Sequence, residues 1–310
     1  MKRLSYLFFG LVLTVAGCKK SVITQFGDTA SGVSIKFLHA APGTPAVDGY
    51  INNVKITPVS SVSVTDNTVV TSIVTGVSYN YFGATATYLG LFPNSNYATV
   101  PSGSTAIKVV ASTTAPVLIS TQTNAPGMLI GTVTQTTVNG SAYSVFALGL
   151  SGSATSPLGI KVVEDKFPAA DASKAYVRFA YMIPNGKPVD VSATSASTAT
   201  ATTLTSNIAY SNVSDFVAVN VNPAGLTNYT FQMYLTGTTT KLGTVSAAVS
   251  LAPGRYYTII GRGLAADYAV PGTNITLKAS TRPTLPVGAA ATRYPEIYFN
   301  PPGITSYTNK

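Results

Sequence analysis

Between Val33 and His39, apolar and polar positions alternate: Ile35, Phe37 and His39 fall on one side of an extended chain and Lys36 on the other. The run stops at Pro42 and Gly43, and Val47-Asp48 opens the next apolar stretch. Period-two alternation halted by Pro and Gly predicts a half-buried strand entering a turn. The pattern returns at residues 176–181, with Val177, Phe179 and Tyr181 on one side and Arg178 on the other, ahead of Pro184 and Val189-Asp190. Short apolar runs broken by Pro and Gly continue along the chain, and no stretch after the first twenty residues holds a helical period. The pattern predicts an all-β protein.

The two stretches align on Asp48 and Asp190, an offset of 142 residues (190 − 48). A second landmark, SAYSVFALGL ending at Leu150, returns as GRYYTIIGRGL ending at Leu264, an offset of 114 (264 − 150). The first unit is therefore longer by 28 residues (142 − 114), a surplus placed around residues 60–97. Between the landmarks, Ile107, Val109 and Ala111 correspond to Phe231, Met233 and Leu235 as inward-facing strand positions. The expected architecture is two tandem antiparallel β-sandwich (Ig-like) domains, residues 33–165 with the insert and residues 172–281. They join near EDKFPAADASK, where charge and Pro interrupt the apolar pattern and Glu164 and Asp165 form a solvated hinge. The Ser/Thr/Ala-rich tract 192–206 is expected as an edge strand or exposed loop, and residues 282–310 as a C-terminal tail.

IKFLHAAPGTPAVDGYINN followed much later by AYSVFALG resembles a domain of the DUF4397 family, and YVRFAYMIPNGKPVDV followed by RYYTIIGRG resembles a second. The second copy departs from the motif, with Tyr181 where the first has His39 and Lys187 where it has Pro45. The resemblance implies the duplicated architecture and an exported protein; the family's activity is unknown.

The N-terminus carries its own signal. Lys2 and Arg3 precede a short apolar stretch that closes on Val15-Ala16-Gly17-Cys18. Residues 1–17 read as a secretory signal peptide, too short for an ordinary membrane span. The segment resembles a bacterial lipobox, which implies lipidation of Cys18 and a tether over residues 18–32. Acyl chains hold a protein at a membrane through about 0.8 kcal/mol per buried methylene. Lys19 and Lys20 replace the acidic residues usual in the surface-export signals of Bacteroidetes lipoproteins, which favours the periplasmic face of the outer membrane. Asp28-Thr29-Ala30 in the tether resembles a Bacteroidetes O-glycosylation motif with Thr29 as acceptor.

Composition narrows the chemistry. Charged residues make up 9% of the chain, and Cys18 is its one cysteine, so no intramolecular disulfide forms. The formal charge of +9 becomes +7 without Lys2 and Arg3, and the basic residues are scattered, unlike a nucleic-acid groove. His39, the one histidine, is either a general base or a planar group closing one end of a core; its face and the Tyr181 counterpart favour the second. Asp48 and Asp190 read as turn residues accepting backbone N–H bonds. Neither has the acidic company that calcium requires, so no metal or cofactor is expected. Gly261-x-Gly263-x-x-Ala266 imitates a dinucleotide fingerprint, but Pro271 and Gly272 leave no room for the helix that fingerprint needs. Tyr79, Tyr81 and Phe82 in the insert either form a stacking surface for a partner or cover a sandwich edge. The sequence thus predicts a non-enzymatic envelope module for a protein or glycan partner, with an envelope hydrolase and a plain spacer as alternatives.

Overall fold

The Val33–His39 and Lys174–Tyr181 strands each lie inside a sheet, and each takes a parallel partner from much later in its own half: Ala142–Leu148 for the first and Tyr256–Arg262 for the second. The computed structural model describes residues 31–57, 63–65, 68–70, 76–77, 79, 90–93, 96–112, 127–280, 296–298 and 301–310. Ile35 sits beside Tyr143 and Val177 beside Tyr257, so the 142- and 114-residue offsets read from the sequence are the register of the fold. All regular elements among the described residues are strands.

Four sheets form two sandwiches. In the first, an inner sheet runs Gly159–Glu164, Ala142–Leu148, Val33–His39, Leu91–Phe92, with Ala98–Val100 also on the edge of Val33–His39. Its outer sheet runs Val54–Lys55, Val47–Ile51, Gly103–Ala111, Leu129–Thr137. In the second, the inner sheet runs Val217–Asn220, Lys174–Tyr181, Tyr256–Arg262, Gly303–Thr308. Its outer sheet runs Ala201–Ile208, Val189–Ser195, Thr227–Leu235, Lys241–Leu242, with Val249–Leu251 also pairing Thr227–Leu235. Most pairs are antiparallel, and the simple tract at 192–206 contributes the edge strand Ala201–Ile208. A small sheet of Tyr268–Ala269, Thr276–Lys278 and Glu296–Tyr298 follows.

Alternation builds each core. Ile35, Phe37, Val47, Ile107, Val109 and Val145 fill the first sandwich; Val177, Phe179, Val189, Val191, Phe231 and Met233 fill the second. Each such side chain contributes about 1.5–3 kcal/mol by leaving water.

The opposite faces of the inner strands are where the structure departs from expectation. They are buried as well, because the two inner sheets pack on each other through Leu38, Leu91, Phe146, Leu148, Ala180, Met182, Ile260 and Tyr307. Period two alone cannot distinguish a wet second face from one covered by another sheet. Residues 32–310 consequently form one compact unit. The segment after residue 281 is no loose appendage: Gly303–Thr308 completes the second inner sheet, and Tyr307 lies in the layer between the sheets. A second apolar cluster, Tyr79, Leu150, Leu264, Val270 and Leu277, joins loops of both halves, with the Tyr268 hydroxyl donating to Ser151 O at 2.9 Å.

Candidate functional site

His39 and Tyr181 occupy equivalent positions and do equivalent work. The His39 Nε2–H donates to Pro45 O at 2.9 Å, and Nδ1 accepts from the Ala41 N–H at 3.3 Å. A carbonyl only accepts and a backbone N–H only donates, so these two bonds fix the neutral Nε2–H tautomer. Burial pushes the imidazole pKa down to about 4 against the help of the Pro45 carbonyl. The Tyr181 hydroxyl donates to Lys187 O at 2.8 Å, the carbonyl that corresponds to Pro45. Both rings therefore close one end of a sandwich by tying the strand to the turn that follows it. The longer reach of tyrosine has a local consequence. A Cβ on Gly186 would lie 2.1 Å from the Tyr181 Oη, and the first copy, with the shorter imidazole, has Thr44 at that position.

The two aspartates are likewise committed to the fold. Asp48 is buried, with Lys55 Nζ at 3.0 Å and the Thr57 hydroxyl donating at 3.4 Å; that same hydroxyl accepts from Gly49 N–H. Asp190 accepts from the Asn207 and Gly237 N–H groups at 2.7 and 3.0 Å, which hold its carboxyl below the usual range. Asp190 thus takes the expected backbone N–H bonds, whereas Asp48 pairs with an ammonium and a hydroxyl.

Tyr79 is 5% exposed. Its ring meets His39 edge-on at 5.5 Å between centroids and carries the Arg262 guanidinium at 5.7 Å. That burial takes Tyr79 off the accessible surface and into the cluster it shares with Leu150, Leu264, Val270 and Leu277. Tyr81 and Phe82, like Cys18 and Thr29, lie outside the described residues.

The most concentrated polar chemistry sits between the inner sheets, where the sequence predicted a solvated hinge. Asp165 is buried and pairs with Arg178 at 2.6 Å; the guanidinium, 2% exposed, also donates from Nε to Thr258 Oγ1 at 2.8 Å and from Nη2 to Ser144 Oγ at 3.2 Å. The Ser144 hydroxyl donates to Asp165 at 2.8 Å and the Tyr97 hydroxyl at 2.5 Å. Asn309 donates to the Tyr97 oxygen at 2.7 Å and accepts from Thr258 at 2.6 Å. Lys36, fully buried, lies over the rings of Tyr97 and Tyr307 at 5.0 and 5.3 Å; burial pushes its pKa down to about 8 although Asp165 opposes the shift. The sequence held a clue to this centre: both copies carry a cation at the same strand position, Lys36 and Arg178. What it concealed was the sheet that covers them. Among the described residues, no three His, Cys, Asp or Glu side chains gather as a metal site.

Another polar feature escaped the sequence reading. A cleft of about 530 Å³ lies at one end of the second sandwich, lined by Ala196, Ser197, Asn220, Asn222, Leu226 and Asn228 among others. Its sequence signal is three Asn in nine residues, NVNPAGLTN at 220–228.

Solved structures similar to this chain include a carbohydrate-binding module, CBMbc of family CBM26 from Eubacterium rectale Amy13K, in complex with maltoheptaose. It is 15% identical, with 81% of this chain and 97% of that one covered and a TM-score of 0.19. A candidate cell adhesion protein from Bacteroides eggerthii DSM 20697 is 11% identical, with 91% and 98% covered and a TM-score of 0.18. Among curated proteins, nothing matches. The profile of a domain of unknown function, DUF4397, matches residues 33–192, which span the first sandwich and the opening strands of the second. That match takes in more than half of the sequence, and the chain belongs to the DUF4397 family.

Proposed function

We propose that this protein is a non-enzymatic binding module of the bacterial cell envelope, held by lipid on Cys18 at the periplasmic face of the outer membrane, that engages a protein or glycan partner. The observation that carries the reading is the closure of the three side chains that the sequence offers for catalysis, His39, Asp48 and Asp190. Each spends its polar atoms on the chain's own groups. A general base must instead reach a substrate proton. Such an arrangement supports a scaffold that displays its outer sheets and loops. The matched registers of the two halves support a duplication, with the second sandwich as another copy of the family's unit. The anchor rests on the lipobox-like segment alone.

The test uses the full chain in its native cells. Cys18→Ala is expected to release the protein from the membrane fraction. Photo-crosslinking followed by capture is expected to return a defined envelope protein or glycan, with no polymer turnover that Asp48→Asn or Asp190→Asn abolishes. Turnover lost in either variant refutes the reading in favour of a hydrolase, and the absence of any crosslinked partner refutes it in favour of a spacer.

A further inference from the structure

The cleft at 196–228 has a donor and acceptor balance that selects its occupant. The Asn220 carbonyl oxygen accepts from Lys174 Nζ. The Asn222 carbonyl oxygen accepts from the Ala224 N–H at 3.0 Å, and that of Asn228 from the Ser250 hydroxyl at 2.8 Å. An ammonium and a backbone N–H can only donate, so the first two amides are oriented without ambiguity, oxygen toward the protein and NH₂ away from it. Three exposed amides therefore line one cleft, each oxygen already accepting one bond from the protein and each NH₂ donor facing no partner among the described residues. Leu226, 65% exposed, adds an apolar surface to the same wall.

The loop that carries these groups is built rather than loose. Asn222 N–H donates to Thr227 Oγ1 at 2.9 Å, its side chain closes a turn on Ala224, and Gly225 N–H returns to Asn222 O at 3.1 Å. Such internal bonds lower the ordering cost of binding. The loop is also particular to the second half. Six residues separate Val217–Asn220 from Thr227–Leu235, whereas Pro101 and Ser102 alone separate the corresponding strands Ala98–Val100 and Gly103–Ala111. The longer connection, which carries Asn222 and Leu226, belongs to the second half alone.

We infer that this cleft binds a saccharide, its ring and hydroxyl oxygens accepting from the Asn220, Asn222 and Asn228 amides and one C–H face resting on Leu226. Sugar hydroxyls that donate find the Ser197 and Thr227 oxygens on the same wall. The volume lies within the range of small-ligand sites. The proposal rests on the binding-module reading and names the site and ligand class for it.

The test is isothermal titration of the full chain in detergent with cello-, malto-, xylo-, manno- and chitohexaose in turn. The informative variant is Asn220→Asp/Asn222→Asp, because each carboxylate still accepts the bond from Lys174 or Ala224 while the donor becomes an acceptor. At least one hexaose is expected to bind, and the double variant to bind it at least tenfold more weakly with an unchanged unfolding midpoint. Leu226→Ala is expected to weaken it further. Equal affinity in wild type and double variant overturns this site while leaving a glycan-binding module intact. No binding of any hexaose to wild type overturns the saccharide assignment, and the crosslinking experiment then decides separately whether a protein partner preserves the broader reading.

Discussion

Replacing Asp165 with Asn tests whether the two sandwiches are locked by their buried centre. The substitution keeps the size of the side chain and removes the carboxylate that faces Arg178 within a fully covered layer. At 2.6 Å and an effective dielectric of 20, the attraction in this pair is about 6 kcal/mol. Desolvating the two ions costs several kcal/mol each, so the intact pair is close to neutral in net stability. Its rupture is not neutral. Arg178 would stay buried without a counter-ion, beside a second cation at Lys36, and removal of one partner from such a pair costs about 3–5 kcal/mol. Urea unfolding of the full chain should show that loss as a lower midpoint at an unchanged m-value. The control is Lys36→Met/Asp165→Leu/Arg178→Met, which removes all three charges together. It forfeits the bonds of the Tyr97 and Ser144 hydroxyls, about 1–3 kcal/mol each, but none of the uncompensated charge. Apolar replacement of a buried ion pair is itself neutral or stabilising by about 1–4 kcal/mol, which offsets those lost bonds, so the triple variant should be more stable than Asp165→Asn. A loss below about 1 kcal/mol in the single variant would refute the reasoning, because it would mean that water reaches Arg178.

Three further outcomes follow from the structure. His39→Tyr alone is expected to destabilise by about 1–3 kcal/mol, since the Thr44 Cβ occupies the space that Gly186 leaves for the Tyr181 hydroxyl, and His39→Tyr/Thr44→Gly to restore stability; a double variant no better than the single removes the equivalence. Because the folded pKa of His39, about 4, lies below the ordinary 6.5, the neutral imidazole contributes stability that is fully present above pH 6.5 and lost as pH falls toward 4, about 3 kcal/mol in all. Unfolding across that window should show a slope in wild type that the double variant lacks. Asn309→Asp is expected to destabilise although it adds an anion near two cations, because Tyr97 donates its hydrogen to Asp165 and needs the Asn309 NH₂ as donor to its oxygen. A higher midpoint in Asn309→Asp would show that net charge, rather than bond direction, governs this centre.

The sandwich cores were legible because each depends on one strand's own alternation. Ile35 and Phe37, or Val177 and Phe179, declare their inward face without knowledge of any neighbour, and the recurrence of the pattern supplied the register. The covered second face was not legible, because Lys36 and Arg178 look like solvent positions until a second sheet lies over them. Asp165 was misread for the same reason. It follows Glu164 in a charged, Pro-containing stretch, and only the long-range approach of Arg178 distinguishes its buried carboxylate from the exposed one beside it. The end of the second sandwich was placed too early at residue 281, since a gap of more than twenty residues separates Thr276–Lys278 from the strand Gly303–Thr308 that completes the sheet. The Asn cleft lay in plain sequence, yet amide groups give no sign of which end is free until their bonds are seen.

The two halves meet much as identical subunits do across an isologous interface. Lys36 corresponds to Arg178, Ser144 to Thr258, Tyr97 to Phe216, and Asp165 to Asn309, each pair occupying the same place in its own inner sheet. Ser144 donates to Asp165 as Thr258 donates to Asn309, and Lys36 lies over Tyr97 as Arg178 lies over Phe216. True identity would fail at the centre. The run of bonds from the Thr258 hydroxyl through Asn309 and Tyr97 to Asp165 has one direction, and it requires an amide at one equivalent position and a carboxylate at the other. Two carboxylates would face the Tyr97 oxygen with a single hydrogen between them, and two amides would leave Arg178 unpaired. Because the two halves lie in one chain and differ in sequence, this interface holds a polar arrangement that two identical chains could not share. The two halves likewise differ at their ends, where the first keeps a short turn at Pro101 and the second carries the loop with Asn222.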